Sequence, residues 1–469
     1  MDPKRLKQAK RGTHHGALSE DIGPVLRAAA DQGLISSSTR PSSATTESPN
    51  GNEDNSLPVA ALFYDLDAFD DSLTELATAF PPPVWRHCLA VKANPLRIML
   101  EMAVKKGFGL ECASLTEVMM SLQAGCEPHM VVFDSPCKTL SDLRKALSLG
   151  VQINCDGLEE VDRVKSIVEG EGLRTSSVVG IRVNPLLGFG NIKALSVSDA
   201  TSKFGVPYTD ENKKRIIQLF NDNTFLNALH VHVGSQGCSM EMLAQGAATI
   251  YNLAENELGG PARIKVLDIG GGLPTNFDSD ETKPSFASYS AVVQKTLPAL
   301  FDSTKCKYTC VTEFGRSIQA KLGWTVSICE LVKEAGGRRI AVVHVGSDMF
   351  VRTCYCPKDF PLRVQVVDGK EFEMKQLGEE ATKTQVLQNV VGPLCFGGDK
   401  ICEAAVLPTI NQNDFVVIRD SGANCLSLWS RHCSRQSPPV YGYRLVDGRV
   451  EFTHLRRREP LSRVMEFWE

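Results

Sequence analysis

The segment LAVKANPLRIMLEMAVKKGFGLECASLTEVMMSLQAG (89–125) decides the fold. Two short apolar runs, LAVKA (89–93) and GLECA (109–113), are each followed by a longer stretch with apolar residues at helical spacing. Each of those stretches closes on a glycine, Gly107 and Gly125, as helices do when the next residue must be left-handed. The same unit recurs down the chain. MVVFD (130–134), VQINC (151–155), VVGIRVN (178–184), LHVHV (229–233), KVLDI (265–269) and CVTEF (310–314) complete eight strand-like runs. Helical periodicity separates them, as in LSDLRKALSLG (140–150), and DSLTELATAF (71–80) adds a helix ahead of the first run. Eight strands alternating with eight helical segments over about 250 residues predict an α/β fold, a (β/α)8 barrel of TIM type. An open doubly wound sheet is the alternative, and it seldom strings eight such units together.

Beyond about residue 325 the helical period fades. WTVSICELV (324–332), RRIAVVHV (338–345), LRVQVV (362–367), NDFVVIRD (413–420) and GRVEFTHL (448–455) read as strands between turns. The expected organisation is therefore a barrel over residues 58–324 and a C-terminal β-rich domain over 325–469. Residues 1–57 are polar, as in TRPSSATTESPNGNEDNS (39–56), and are expected to stay disordered. Their basic cluster, Lys4, Arg5, Lys7, Lys10 and Arg11, reads as a solvated tail, with an organellar transit peptide as the other reading.

At 469 residues the chain exceeds one ordinary core, and its net charge of −4 argues against nucleic acid or an anionic membrane as partner. No apolar run is long enough to span a bilayer, and no secretory core opens the chain. A cytoplasmic location is expected, with import into an organelle left open. The 15 cysteines are scattered without a C-x-x-C, which fits reduced thiols, and no metal site is expected.

Catalytic groups of a barrel gather at the carboxyl ends of its strands, and the polar residues here fall on those ends repeatedly. Lys92 ends the first run, Glu111 the second, Arg182 the fifth and His232 the sixth, where His230 shares its face. Gly270, Gly271 and Gly272 follow the seventh, and Glu313 with Arg316 closes the eighth. One polar strand end is usually a mere transition to a loop; six facing one mouth form a site. A lysine in a setting that lowers its pKa can form a Schiff base with an aldehyde cofactor. Consecutive glycines let backbone N–H groups wrap a phosphate, and a carboxylate such as Glu313 can keep a pyridine nitrogen protonated. An imidazole such as His232 can stack on a flat ring.

Together these segments resemble the diaminopimelate/ornithine decarboxylase family, enzymes that use pyridoxal 5'-phosphate (PLP) and join a barrel to a β-domain. AVKANP (90–95), GLECASLTEV (109–118), HVGSQ (232–236), DIGGG (268–272), EFGR (313–316) and GPLCFGGD (392–399) carry the resemblance. It runs from about residue 60 nearly to the end. It implies an amino-acid decarboxylase working as a homodimer with shared sites. Lys92 would hold the cofactor, His232 would stack on its ring, and Glu313 would pair with the pyridine nitrogen. Ser235, Gly270 to Gly272, Gly315 and Arg316 would bind phosphate. Arg182 would lie near the ring and Glu111 behind it. Cys395 would return the proton across the dimer interface, with Asp399 at the same site.

HVGSQ and DMFVRTCY (348–355) lean towards the diaminopimelate branch, where Arg316, Arg352 and Tyr355 would hold the substrate's distal carboxylate. The other reading of Arg352 is a surface ion pair. Three departures oppose a simple assignment. Phe396 stands where the family carries an acid for the distal ammonium, Asn424 replaces a tyrosine, and Phe314 replaces a proline. A substrate without a distal ammonium, another dicarboxylic or an apolar amino acid, fits those changes. A non-catalytic regulator of a true decarboxylase is the competing class. Retention of Lys92, His232, Glu313 and Cys395 argues for an enzyme. Racemisation would want a tyrosine base where Cys395 stands.

Overall fold

The computed structural model describes residues 22–37, 56–192, 195–377 and 387–469. The expected basic cluster of the N-terminal tail lies outside them. Two compact units emerge, one of Ser72–Thr275 with Lys283–Ile318 and one of Met1–Asp71 with Asn276–Thr282 and Gln319–Glu469.

Strand β1, Ala60–Asp65, belongs to the second of these units, and the barrel strands follow it. They are β2 (Trp85–Ala90), β3 (Gly109–Cys112), β4 (Val131–Phe133), β5 (Gln152–Cys155) and β6 (Val179–Asn184). The two-residue β7 (Val206–Pro207), then β8 (Leu226–Val231), β9 (Val266–Asp268) and β10 (Thr309–Thr312) complete the set. All neighbours are parallel in the order β5-β4-β3-β2-β10-β9-β8-β6, and a β5–β6 pairing closes the ring. Each of the eight sequence runs contributes a strand. Gly107, Gly125 and Gly150 take φ of +86°, +84° and +78°, the left-handed helix stops read from the sequence. Ser114 caps the helix Leu115–Gln123, and Thr139 with Asp142 forms a capping box on Leu140–Leu149.

The other unit is a mixed sheet. Its strands after β10 are β11 (Gly323–Ala335), β12 (Arg338–Val343), β13 (Val364–Val367), β14 (Leu387–Val391) and β15 (Lys400–Val406). β16 (Phe415–Ile418), β17 (Val440–Val446) and β18 (Arg449–Arg456) finish it. The order is β15-β14-β12-β11-β1-β17-β18, with β16 joining β11 to β13.

Two sequence-based boundaries are corrected here. The barrel does not begin at residue 58, because β1 pairs antiparallel with β11 and parallel with β17. Its residues AALFYD are buried almost throughout, so alternation cannot reveal which sheet takes them. Nor is the whole of 1–57 without structure. Helix Gly23–Asp31 buries Val25, Leu26, Ala29 and Ala30 in a core with Phe63, Trp324, Val326, Phe415 and Tyr441. A short apolar stripe, VLRAA, decides this against the polar flanks. Among the described residues no helix is long and apolar enough to cross a membrane.

Candidate active site

The carboxyl ends of the barrel strands carry a dense array of charge. Lys92 sits in a single helical turn, Val91–Ala93, directly after β2. Its Nζ lies 2.6 Å from Oε1 of Glu111, a fully buried residue of β3. Arg182 on β6 places Nη1 3.6 Å from Asp134 Oδ2 and 3.5 Å from Asp156 Oδ1. Its guanidinium lies 4.6 Å from the centroid of the Phe204 ring, a cation–π contact. His230 on β8 is fully buried, with Nδ1 3.3 Å from Asp134 Oδ1 and Nε2 3.5 Å from Glu313 Oε2.

The electrostatics follow from burial and crowding. Burial works to lower the Lys92 pKa, but the carboxylates of Glu111, Asp134 and Glu313 outweigh it and hold the ammonium above its ordinary range. The expected depression of this lysine is therefore reversed while its neighbours carry charge. Burial likewise opposes protonation of His230, and Asp134 and Glu313 overcome it, raising the imidazole well above the histidine range. Asp134 gains from His230 and Arg182 more than burial costs it and is held far below the carboxylate range. His232 goes the other way: burial, then the cations Arg182 and Lys92, keep its ring neutral. Burial, then Glu313, pushes Asp268 up to about 8.

The glycine turn packs against the other loops. Gly270 and Gly272 have φ of +67° and +99°, where side chains are strained. A Cβ on Gly271 would lie 2.3 Å from the Glu313 carbonyl oxygen, and one on Gly272 2.0 Å from that of Gly234. Gly270 N–H donates to Asp268 Oδ1 at 3.1 Å, and Gly271 N–H to His232 Nδ1 at 3.2 Å. Ser235 N–H donates to the Leu195 carbonyl at 3.0 Å, tying the HVGSQ loop to the 195 segment. On Gly315 a Cβ would meet those of Ala93 and Ala90 at 2.8 and 2.9 Å. Arg316 opens the short helix that follows. The structure thus brings Lys92, Glu111, Arg182, His232, Ser235, the three glycines, Glu313, Gly315 and Arg316 to one face of the barrel.

A buried site built only for stability would pair its polar atoms. Here Glu111 Oε2 and Glu313 Oε1 have no hydrogen-bond partner among the described residues. With a lysine in reach, a neutral imidazole and backbone that tolerates no Cβ, these residues fit an anionic aromatic aldehyde such as pyridoxal phosphate. Asp134, His230 and Glu313 also present donor atoms within 4.8 Å of one another. The imidazolium between the two acids already supplies the positive charge that spacing calls for.

Sequence reasoning passed over Asp134, Asp156, His230 and Asp268 as functional residues. Asp134 and Asp268 stand at strand ends in MVVFD and KVLDI, the same signal that marked Lys92 and Glu111. What the sequence lacks is the cross-barrel pairing that brings Asp134 to His230.

Apart from Phe314, which follows β10 in the barrel unit, the remaining predicted residues belong to the sheet unit. Cys395 is exposed. Phe396 stacks on Tyr355 with centroids 5.6 Å apart and planes 18° apart. Among the described residues Arg352 makes no ion pair of the kind weighed above: its guanidinium lies 5.4 Å from the Phe360 centroid, and Nη1 has no hydrogen-bond partner there. Asp399 makes contacts within its own unit. It is buried, and its two oxygens accept the Ser347 and Leu394 backbone N–H groups, each at 2.6 Å, so its carboxylate organises loops. Asn424 adopts φ +56°, a left-handed conformation that asparagine tolerates better than tyrosine. Phe314, in place of a proline, is buried against Phe286 and Tyr289.

Residues 66–320 match the family described as pyridoxal-dependent decarboxylase, pyridoxal binding domain. Diaminopimelate decarboxylase from Helicobacter pylori strain J99 is 25% identical over 405 residues, 85% of this chain and 93% of that protein. The Campylobacter jejuni enzyme of the same name is 28% identical over 84% of this chain and 92% of its own. The crystal structure of H. pylori diaminopimelate decarboxylase complexed with L-lysine superposes with a TM-score of 0.74 at 23% identity, covering 87% and 96% of the two chains.

Proposed function

The chain belongs to the pyridoxal-dependent decarboxylases and is an amino-acid decarboxylase; from that premise we propose that Lys92 anchors PLP and that the substrate carries a second carboxylate. The observation that carries the anchor is the 2.6 Å contact of Lys92 Nζ with buried Glu111. Bound PLP supplies an electron sink for the pair left behind when carbon dioxide departs. The protein's part is orientation and proton control. Lys92 must lose a proton before its amine can bond to an aldehyde, and Glu111 Oε1 is the base in reach. Glu313 would pair with the pyridine nitrogen, and neutral His232 would support the ring. The Gly270–Gly272 backbone, Ser235 and the Gly315–Arg316 turn would hold the phosphate. Cys395 returns a proton to the substrate carbon, in a site completed by a second copy of the chain.

For the substrate, the relatives are diaminopimelate decarboxylases. Arg352, whose Nη1 has no hydrogen-bond partner among the described residues, suits a distal carboxylate. The Phe396–Tyr355 stack offers an apolar wall, against which a distal ammonium would be costly to desolvate. The purified, PLP-loaded protein is tested for carbon dioxide release from meso-diaminopimelate, glutamate, aminoadipate, ornithine, lysine, arginine and apolar amino acids. Release from a dicarboxylic member without a distal amine supports the proposal. Preference for meso-diaminopimelate overturns the role given to Phe396, and preference for a diamine such as ornithine overturns the role of Arg352.

A further inference from the structure

Asp134 and Glu313 are two buried acids whose oxygens lie within 4.8 Å of a shared partner and of each other. Two carboxylates so close in a dry site cannot both stay ionised unless a cation stands between them. His230 stands there, one ring nitrogen towards each acid, at 3.3 and 3.5 Å. Arg182 closes the far side of Asp134. The other charged groups around this line are Lys92 and Glu111 from the β2 and β3 ends, Asp156 from β5 and Asp268 from β9, with neutral His232 beside it.

We propose that Asp134 is a positioning residue of the decarboxylation site: it holds His230 as an imidazolium, and that cation keeps Glu313 ionised for the cofactor's pyridine nitrogen. Burial, Asp134 and Glu111 all raise the Glu313 pKa and His230 works against them, so loss of the imidazolium drives Glu313 further towards its neutral acid, which cannot balance a pyridinium. Asp134 need not touch the cofactor. The array, guanidinium, carboxylate, imidazolium, carboxylate, alternates in sign from Arg182 to Glu313. The inference rests on the assignment of Glu313 above and is separable from it.

Two measurements test it. In protein without PLP, ring 15N NMR follows the titration of His230. Its midpoint should lie above the usual histidine range and fall at least one unit in Asp134→Asn, about a tenfold loss in proton affinity, with recovery in Asp134→Glu. An unchanged midpoint overturns the proposal and needs no loaded enzyme. In protein loaded with PLP labelled at the pyridine nitrogen, the 15N signal should be that of a protonated ring in the wild type. It should move towards the unprotonated position in both Asp134→Asn and His230→Gln, with kcat lowered about tenfold or more and KM little changed. If Glu313→Gln leaves the nitrogen protonated, the assignment of Glu313 itself fails. If Glu313→Gln removes that proton and Asp134→Asn does not, the assignment stands and the role of Asp134 is lost.

Discussion

Lys92 shows how much one side chain's setting decides. Its ammonium is held by three acids when no aldehyde is present, so its bond to a cofactor must be accompanied by proton transfer. Lys92→Ala should remove the borohydride-trapped adduct between protein and PLP and lower carbon dioxide release by about a thousandfold or more. A trapped adduct elsewhere in that variant would move the anchor. Cys395 is a different case, an exposed thiol in a loop that resembles a family motif. Cys395→Ala should retain the adduct while turnover falls about 100-fold, the usual worth of a proton donor. Normal single-turnover rates in that variant would take Cys395 out of the chemistry. At this scale the sequence was most legible where a residue ended a strand run. It was least legible where the role depends on a partner across the barrel, as for His230 with Asp134.

Among the elements, the glycine turn after β9 carries the sharpest steric demand. Gly272→Ala would press a methyl carbon into the Gly234 carbonyl oxygen 2.0 Å away, at a φ of +99° that alanine rarely adopts. Both loops would have to shift, at a cost of about 1–3 kcal/mol in backbone strain alone. PLP affinity should drop at least tenfold, and a far smaller loss for pyridoxal, which lacks the phosphate, would tie the effect to phosphate binding. Equal losses for the two ligands would assign the turn a general packing role instead. The barrel was readable because strand runs and helix periods alternate and three helices end on left-handed glycines. The sheet unit was only half readable. KICEAAV in β15 mixes polar and apolar residues without clean alternation, and VYGYRLV in β17 is interrupted by Gly442, so neither announces a strand. Strand β1 falls within the span expected for the barrel and pairs elsewhere, because register with β11 and β17 is a long-range property that local pattern does not encode.

For the molecule as a whole, buried titratable groups set how stability responds to acid, and they pull in opposite directions. His87 in β2 is buried, with Nδ1 2.8 Å from Thr312 Oγ1 and Nε2 3.0 Å from the Phe80 carbonyl oxygen. Burial lowers its pKa to about 4 from an ordinary 6.5. The unfolded chain therefore binds a proton at this residue between those pH values and the folded chain does not, so stability falls as pH drops through that window. The full effect is about 3 kcal/mol, present above pH 6.5 and exhausted below 4. Asp65, raised to about 6 by burial, acts oppositely: its penalty grows as pH rises from 3.8 to 6. A wild-type curve sums these and hides each, whereas the difference between wild type and His87→Gln isolates one. Measured by urea unfolding between pH 7.5 and 4, that difference should shrink steadily on acidification, because the variant has no proton to take up at this position. The constant part of the difference, from the lost packing and hydrogen bonds, does not affect the slope. A difference that stays flat across the window would mean that the folded barrel takes up a proton at His87 as readily as the unfolded chain does, and that burial does not hold the ring neutral.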